Sequence, residues 1–287
     1  MKIQHFYDIA TATLTYVVFD EITKDALIID PVLDFDPSSC KIQDVSAQKV
    51  ISFVAEQKLN VLFILETHVH ADHLSASQLL RQSFPKARVG ISHRIKIVQE
   101  VFKYIFNLPD FQADGSDFDF LFEDEKEFNA GAISILPIAT PGHTPACTSF
   151  LIGNNLFTGD TLFMPDYGTG RCDFPKGSAT DLYDSVLRLY QLPDVTNVFV
   201  GHDYRPNREL RFQTTIGESK ATNIQLKSTT SKQDFVSFRE LRDKGLDVPR
   251  LLLPSLQVNM AAGRLPKKES NGTSYLKMPL TILSNKD

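Results

Sequence analysis

Short apolar runs alternate along the chain with polar, turn-rich segments, and the runs predict its elements. Residues 13–19 (TLTYVVF) and 26–30 (ALIID) read as strands, and their closeness suggests antiparallel hairpins. Val45, Val50, Ile51 and Val54 recur at roughly helical spacing, which predicts a helix over 45–58. VLFIL at 61–65 is a continuous apolar run, expected to be a strand buried on both faces. Helices are expected at 74–82 and 95–105. The acidic, Phe-rich stretch 110–130 reads as a loop that ends in an exposed hairpin. Further on, strands fit 132–138, 148–152, 155–158 and 196–200, and helices fit 179–191, 208–221 and 232–244. Scattered Pro and Gly make 249–282 a packed, irregular tail. No linker divides the chain. We therefore expect one domain over 1–287 of α+β or mixed α/β class, with a core at about 8–225 and a helical or irregular C-terminal extension at about 226–287.

Composition narrows the class. The 287 residues are 42% apolar and 23% charged, the proportions of a soluble globular protein. The net charge of −5 argues against a nucleic-acid partner, which would need a basic stripe. No apolar run reaches the length of a membrane span, and the first ten residues, MKIQHFYDIA, lack the apolar stretch of a signal peptide. Cys40, Cys147 and Cys172 show no CxxC spacing, which fits the reducing cytoplasm better than a disulfide scaffold.

Candidate chemistry is concentrated in the histidines. Of seven, three fall within Thr67-His68-Val69-His70-Ala71-Asp72-His73, directly after the apolar run 61–65. Three imidazoles and a carboxylate in one turn would repel on protonation and add nothing to packing, so a metal is the natural reading. His143 (in Thr-Pro-Gly-His-Thr), Asp160 (in Thr-Gly-Asp-Thr) and His202 (in Gly-His-Asp-Tyr) each lie just past another apolar run, and each follows a glycine: Gly142, Gly159 and Gly201. If these strands share a sheet, their carboxyl ends line one edge and the seven residues converge. Imidazole nitrogen with carboxylate oxygen suits Zn, Fe or Mn. His5 and His93 lie outside this pattern and read as ordinary structural histidines.

THVHADH, with PGHT, TGDTLF and GHDY at these distances, resembles the metallo-β-lactamase superfamily. That resemblance implies an αββα sandwich with the metal at one edge. In two-metal members His68, His70 and His143 would hold one ion, Asp72, His73 and His202 the other, and Asp160 would bridge. The segment GRCDF (170–174), LYDSV (182–186), GHDY (201–204) and the stretch from Pro254 to Gly263 look like the persulfide dioxygenase branch, close to bacterial β-lactamase-hydrolase-like proteins.

The branch implies one Fe(II) per chain on His68, His143 and Asp160, with His70, Asp72, His73 and His202 supporting it. It implies oxidation of glutathione persulfide by O2 to sulfite and glutathione. Tyr204, Arg171 and Asp173 become catalytic or supporting candidates, the last two as a buried pair. Because glutathione carries two carboxylates, Arg205, Arg208, Arg211, Lys220 and Asn223 are expected to contact substrate. Relatives also suggest a homodimer. The alternative is a two-zinc hydrolase of the glyoxalase II or lactonase type, for which every ligand is present. Cys172, beside Arg171, reads as a buried structural thiol rather than a reactive one.

Overall fold

The computed structural model describes residues 1–204 and 208–280. The chain opens with β1 (Lys2–Asp8), β2 (Thr13–Phe19) and β3 (Asp25–Ile29), then β4 (Val32–Asp36) and β5 (Lys41–Gln43). Helix α1 (Val45–Gln57) precedes β6 (Asn60–Leu65), β7 (Leu74–Ser75), α2 (Ser77–Ser83), β8 (Arg88–Ser92) and α3 (Ile95–Ile105). The second half runs β9 (Phe120–Phe122), β10 (Phe128–Ala130), β11 (Ile133–Ala139), β12 (Thr148–Ile152), β13 (Asn155–Phe157) and α4 (Ala179–Leu189). It closes with β14 (Asn197–Phe199), β15 (Gln213–Thr215), α5 (Ile216–Thr222), α6 (Lys232–Asp243) and α7 (Leu252–Asn259).

Two six-stranded sheets result, ordered β1-β2-β3-β6-β8-β9 and β10-β11-β12-β13-β14-β15, with a small β5-β4-β7 ladder beside them. β2 shows why they stack. All seven of its residues are buried. Leu14, Tyr16 and Val18 point into a core shared with Phe150, Phe157 and Val198 of the second sheet. Val17 and Phe19 point the other way, against Val50 and Val54 of α1. The period of two thus feeds two cores at once. On the far side, Leu182, Val186 and Phe235 of α4 and α6 close the second sheet. The architecture is the expected α+β sandwich of helix, sheet, sheet and helix.

Four local expectations are corrected. Helix 74–82 starts late: Leu74 and Ser75 pair with β4 first, and the helix begins at Ser77. The Phe-rich stretch forms no exposed hairpin. β9 joins β8 in the first sheet and β10 joins β11 in the second, because Phe120, Phe122 and Phe128 pack together and against Phe63 and Phe150. The region 208–221 is not one helix. Residues 213–215 extend the sheet beside β14, and the helix starts only where the Thr215 hydroxyl accepts from Glu218 N–H. The tail beyond 249 contains a helix, α7, whose Leu256 and Val258 enter the outer core with Met260 just beyond it. Leu256 is 3% exposed. We expect Leu256→Ala to cost about 2–5 kcal/mol in urea unfolding, the range for a large-to-small core substitution.

Candidate metal centre

β6 runs into the turn that carries His68, His70, Asp72 and His73, and all three imidazoles are buried. β11 leads to His143, β13 to Asp160 and β14 to His202. The strands do not share a sheet, as the sequence had suggested: β6 lies in the first and the other three in the second. β11 and β13 both run antiparallel to β12, and β14 runs parallel to β13, so their carboxyl ends meet at one edge. His68 reaches that edge across the stack. Two glycines permit the closeness. At Gly142 (φ +148°) a Cβ would lie 2.5 Å from Leu182 Cα, and at Gly159 (φ +48°) it would lie 2.5 Å from Thr67 Oγ1.

The side chains form two neighbouring groups. One ligand atom each from His68, His143 and Asp160 lies within 4.8 Å of the others, and the same holds for His70, Asp72 and His73. His143 Nε2 is 3.6 Å and His68 Nε2 4.0 Å from Asp160 Oδ2. His202 Nε2 sits between the groups, 3.2 Å from Asp160 Oδ1 and 3.3 Å from Asp72 Oδ2.

Hydrogen bonds fix which nitrogen each ring presents. Nδ1 of His143 donates to the Arg171 carbonyl at 2.7 Å, that of His73 to Leu74 at 3.0 Å, and that of His202 to Ala12 at 3.2 Å. His68 Nδ1 lies 3.0 Å from Thr67 Oγ1, which donates its proton to Asp30. The remaining atoms, Nε2 of His68, His73 and His202, both ring nitrogens of His70 and Oδ1 of Asp160, are buried with no hydrogen-bond partner. Buried polar atoms are nearly always satisfied. This many orphans facing one point fit a cation, and their mixture of nitrogen and oxygen fits Fe, Zn or Mn.

Electrostatics match. Burial and the neighbouring imidazoles hold His68 well below the usual histidine range. Burial and His70 bring His73 down to about 4. Both rings are therefore neutral, as a ligand must be. Burial also disfavours charge on His70 and His202. Asp30 and Glu66 outweigh it at His70, and Asp160 and Asp72 outweigh it at His202, so both are raised. Burial works against the Asp72 carboxylate, yet the imidazoles of His202, His73 and His70 bring it down to about 2.

A cavity of about 340 Å³ opens onto Asp72, His143 and Asp160. Phe163, Tyr167, Phe174 and Tyr204 supply aromatic lining. Tyr204 stacks on His202 with centroids 5.4 Å apart, and packing around its phenol, with Asp160 and Asp72 nearby, raises it well above its ordinary pKa, so it stays protonated.

Other expected contacts go elsewhere. Arg171 and Asp173 do pair, through two bonds of 2.6 Å, but only partly buried: their side chains are 18% and 35% exposed. Arg208 forks onto Asp166 and Asp203, Arg211 pairs with Glu218, and Lys220 pairs with Asp194. Asn223 is fully buried against the Gly168 carbonyl and the Gln225 and Leu226 amides. None of these four lines the cavity. Arg205 lies outside the described residues. Burial pushes the Cys172 thiol up, and burial pushes the Cys147 thiol up to about 12, so neither is a ready thiolate.

Sequence reasoning missed the cavity's cations Arg239, Arg242 and Arg250, which lie in the helix expected at 232–244 and in the tail beyond 249. It also missed Asn259. That buried amide donates to the carbonyls of His70 (2.8 Å) and His73 (2.7 Å) and accepts from Ser75 N–H (2.8 Å). The far end of the chain thus clamps the histidine turn.

Comparison with known proteins agrees with this geometry. The family model for the metallo-β-lactamase superfamily matches residues 9–202. The chain is 46% identical over 285 residues to "Glyoxylase B2" of Dictyostelium discoideum, covering 98% of each. It is 44% identical to a β-lactamase hydrolase-like protein of Xylella fastidiosa, covering 98% of this chain and 65% of that longer one. It is 28% identical to the human mitochondrial persulfide dioxygenase ETHE1, covering 91% and 88%. The crystal structure of ETHE1 from Myxococcus xanthus superposes with a TM-score of 0.75 at 32% identity, over 92% of this chain and all of that one.

The Asn259 clamp sets an expectation. Asn259→Ala orphans two buried carbonyls and an amide, so the metal-free protein should lose roughly 2–4 kcal/mol in urea unfolding. The metal-loaded variant should release its ion to a chelator faster than the parent.

Proposed function

Starting from the fact that this chain belongs to the metallo-β-lactamase superfamily, we propose that it is a non-haem iron persulfide dioxygenase. Its substrates are glutathione persulfide and O2, and its products sulfite and glutathione. The observation that carries the reading is the His68, His143 and Asp160 group, of which His143 and Asp160 line the cavity, taken with the likeness to persulfide dioxygenases over most of the chain. His68, His143 and Asp160 would hold the ion, and a set of two imidazoles and one carboxylate is suited to a non-haem iron that acts on a substrate and O2. Iron bound there supplies the redox step that spin pairing denies to O2 and a closed-shell sulfur.

The balance is GSSH + O2 + H2O → GSH + SO3²⁻ + 2 H⁺. The sulfane sulfur rises from 0 to +4, and O2 takes the four electrons. The protein's part is positioning. Asp160 and the Nε2 atoms of His68 and His143 would hold the ion, and the Arg171 carbonyl fixes the His143 ring. The aromatic lining limits water beside the reacting sulfur. Tyr204, held protonated, can donate to the sulfur or to the oxygen joining it. His70, Asp72, His73 and His202 orient ligands and ordered water. The three free cysteines accord with a reducing, cytoplasmic setting for a thiol-borne substrate.

One observation favours a second reading. The donor group His70, Asp72 and His73 is complete, and His202 stands between it and Asp160. With two ions held there, metal-activated hydroxide would hydrolyse a glutathione thioester, in keeping with the name of the Dictyostelium relative.

Two measurements separate them. Iron-loaded protein given glutathione persulfide should take up O2 and form sulfite one for one. Hydrolysis of S-lactoylglutathione without O2 uptake, at two ions per chain, would instead establish the hydrolase. In metal analysis, His143→Ala should lose iron and activity together, while His70→Ala should retain most of its iron. Equal loss in both variants would count against the one-iron assignment.

A further inference from the structure

Four arginines line the cavity of a chain whose net charge is −5. Two are committed. Arg171 is forked onto Asp173 and gives a third hydrogen bond to the Asp247 carbonyl. Arg239, fully buried, pairs with Asp243 and donates to the Thr169 and Gly170 carbonyls and to Gln225. Arg242 and Arg250 differ. Among the described residues, neither has a carboxylate within ion-pair distance.

The nearby acids are spoken for or turned away. Asp243 gives one oxygen to Arg239 and the other to the Cys172 amide. Asp247 pairs with neither arginine. The acids that line the cavity, Asp72 and Asp160, face the histidines. Arg242, at the last turn of α6, lies 5.7 Å from the centroid of Tyr167, which holds its guanidinium against an aromatic wall of the cavity. Arg250 is exposed and directly precedes Leu251, the residue just before α7.

Two unpaired guanidinium groups beside a concave aromatic site are suited to an anion. The planar fork matches a carboxylate with two parallel bonds. At about 340 Å³ the cavity is near the lower end of small-molecule sites, so a tripeptide-sized guest suits it better than a nucleotide-sized one. We propose that Arg242 and Arg250 seat the carboxylates of the thiol that carries the reacting sulfur, and so select a small carboxylate-bearing thiol over neutral thiols and over coenzyme A. This deepens the functional reading above and rests on it only in assuming that the substrate arrives on a thiol.

The test uses binding, so it needs no turnover. Calorimetry on the full-length zinc-loaded protein measures glutathione, glutathione diethyl ester and coenzyme A. Glutathione should bind at least about tenfold tighter than its ester. Arg250→Ala should weaken glutathione roughly five- to tenfold, Arg242→Ala/Arg250→Ala more, and the double variant should lose the preference over the ester. Arg242→Lys should recover part of the loss, as a charge without the fork. Arg250 is exposed, so Arg250→Ala carries the test by itself should the double variant fail to fold.

The proposal is overturned if glutathione does not bind, if it binds no tighter than its ester, or if the variants bind it as the parent does. It is equally overturned if coenzyme A binds tighter than glutathione and depends on these arginines. Loss of the dioxygenase reading looks different: no O2 uptake with persulfide while the arginine-dependent preference for glutathione remains.

Discussion

The site depends on one buried carboxylate. Asp30 follows β3 with a left-handed backbone (φ +50°) and is 2% exposed. One oxygen accepts from Thr67 N–H at 2.7 Å and the other from the Thr67 hydroxyl at 2.8 Å. The same Thr67 oxygen meets His68 Nδ1, and Asp30 Oδ1 lies 3.0 Å from His70 Nε2. One group thus decides that His68 offers Nε2 and His70 offers Nδ1 to the centre. A charge this deep is tolerable only when its oxygens are hydrogen-bonded, and both Asp30 oxygens accept from Thr67. Its neighbour Glu66, bonded to Ser75 and Ser77 and 3.4 Å from His70 Nε2, holds the same ring from a second side. The tertiary structure serves this arrangement: Thr15 ties the Asp30 carbonyl to β2, and the Asp30 amide ties the chain to the end of β6.

The second constraint is the meeting of the two sheets. His143, Asp160 and His202 each sit three or four residues past the carboxyl end of a strand, and the turn from His68 to His73 spans the gap between β6 and β7. Neither sheet supplies both donor groups alone. The bridge between Thr13 and His202, with the Leu14 amide on the Gly201 carbonyl at 2.8 Å, fastens the β14 loop to the first sheet. The C-terminal segment then acts twice. Asn259 holds the histidine turn from behind, and α6 with the chain before α7 carries the cavity's arginines. It is a working wall of the site.

This explains what was legible in the sequence. The turn from His68 to His73 stands out because its chemistry is local: four donors within six residues leave few other readings. His143, Asp160 and His202 could be found because each follows an apolar run and a glycine. The burial of β6 was visible in its continuous apolar run, VLFIL. Asn259 was not legible, because its partners lie 184 to 189 residues away and an asparagine in a Leu-rich segment has no local signature. The arginines were misassigned for a related reason. Arg208, Arg211 and Lys220 lie near His202 in sequence, but acidic partners in the folded chain claim them. The Phe-rich strands β9 and β10 misled because their spacing suits a hairpin, while packing on Phe63 and Phe150 sends them to different sheets.

The donor set by itself does not choose the reaction. By intrinsic affinity Zn²⁺ outcompetes Fe²⁺ at sites of nitrogen and oxygen, so the ion present follows supply and loading as well as geometry. Iron held by His68, His143 and Asp160 would supply the proposed sulfur oxidation, whereas a second ion held by His70, Asp72 and His73 would supply hydrolysis instead. Both reactions act on a thiol-borne substrate, and both would place the carrier's body in the same cavity, away from the reacting atom. Recognition of the carrier is therefore separable from the chemistry at the ion. Arg242 and Arg250 would serve either outcome, because they act on the part of the substrate that does not react. On the proposed reading the fold divides function between two ends of one cavity: the residues that would hold the ion set the chemistry at the sulfur, and Arg242 and Arg250 would select the thiol that delivers it.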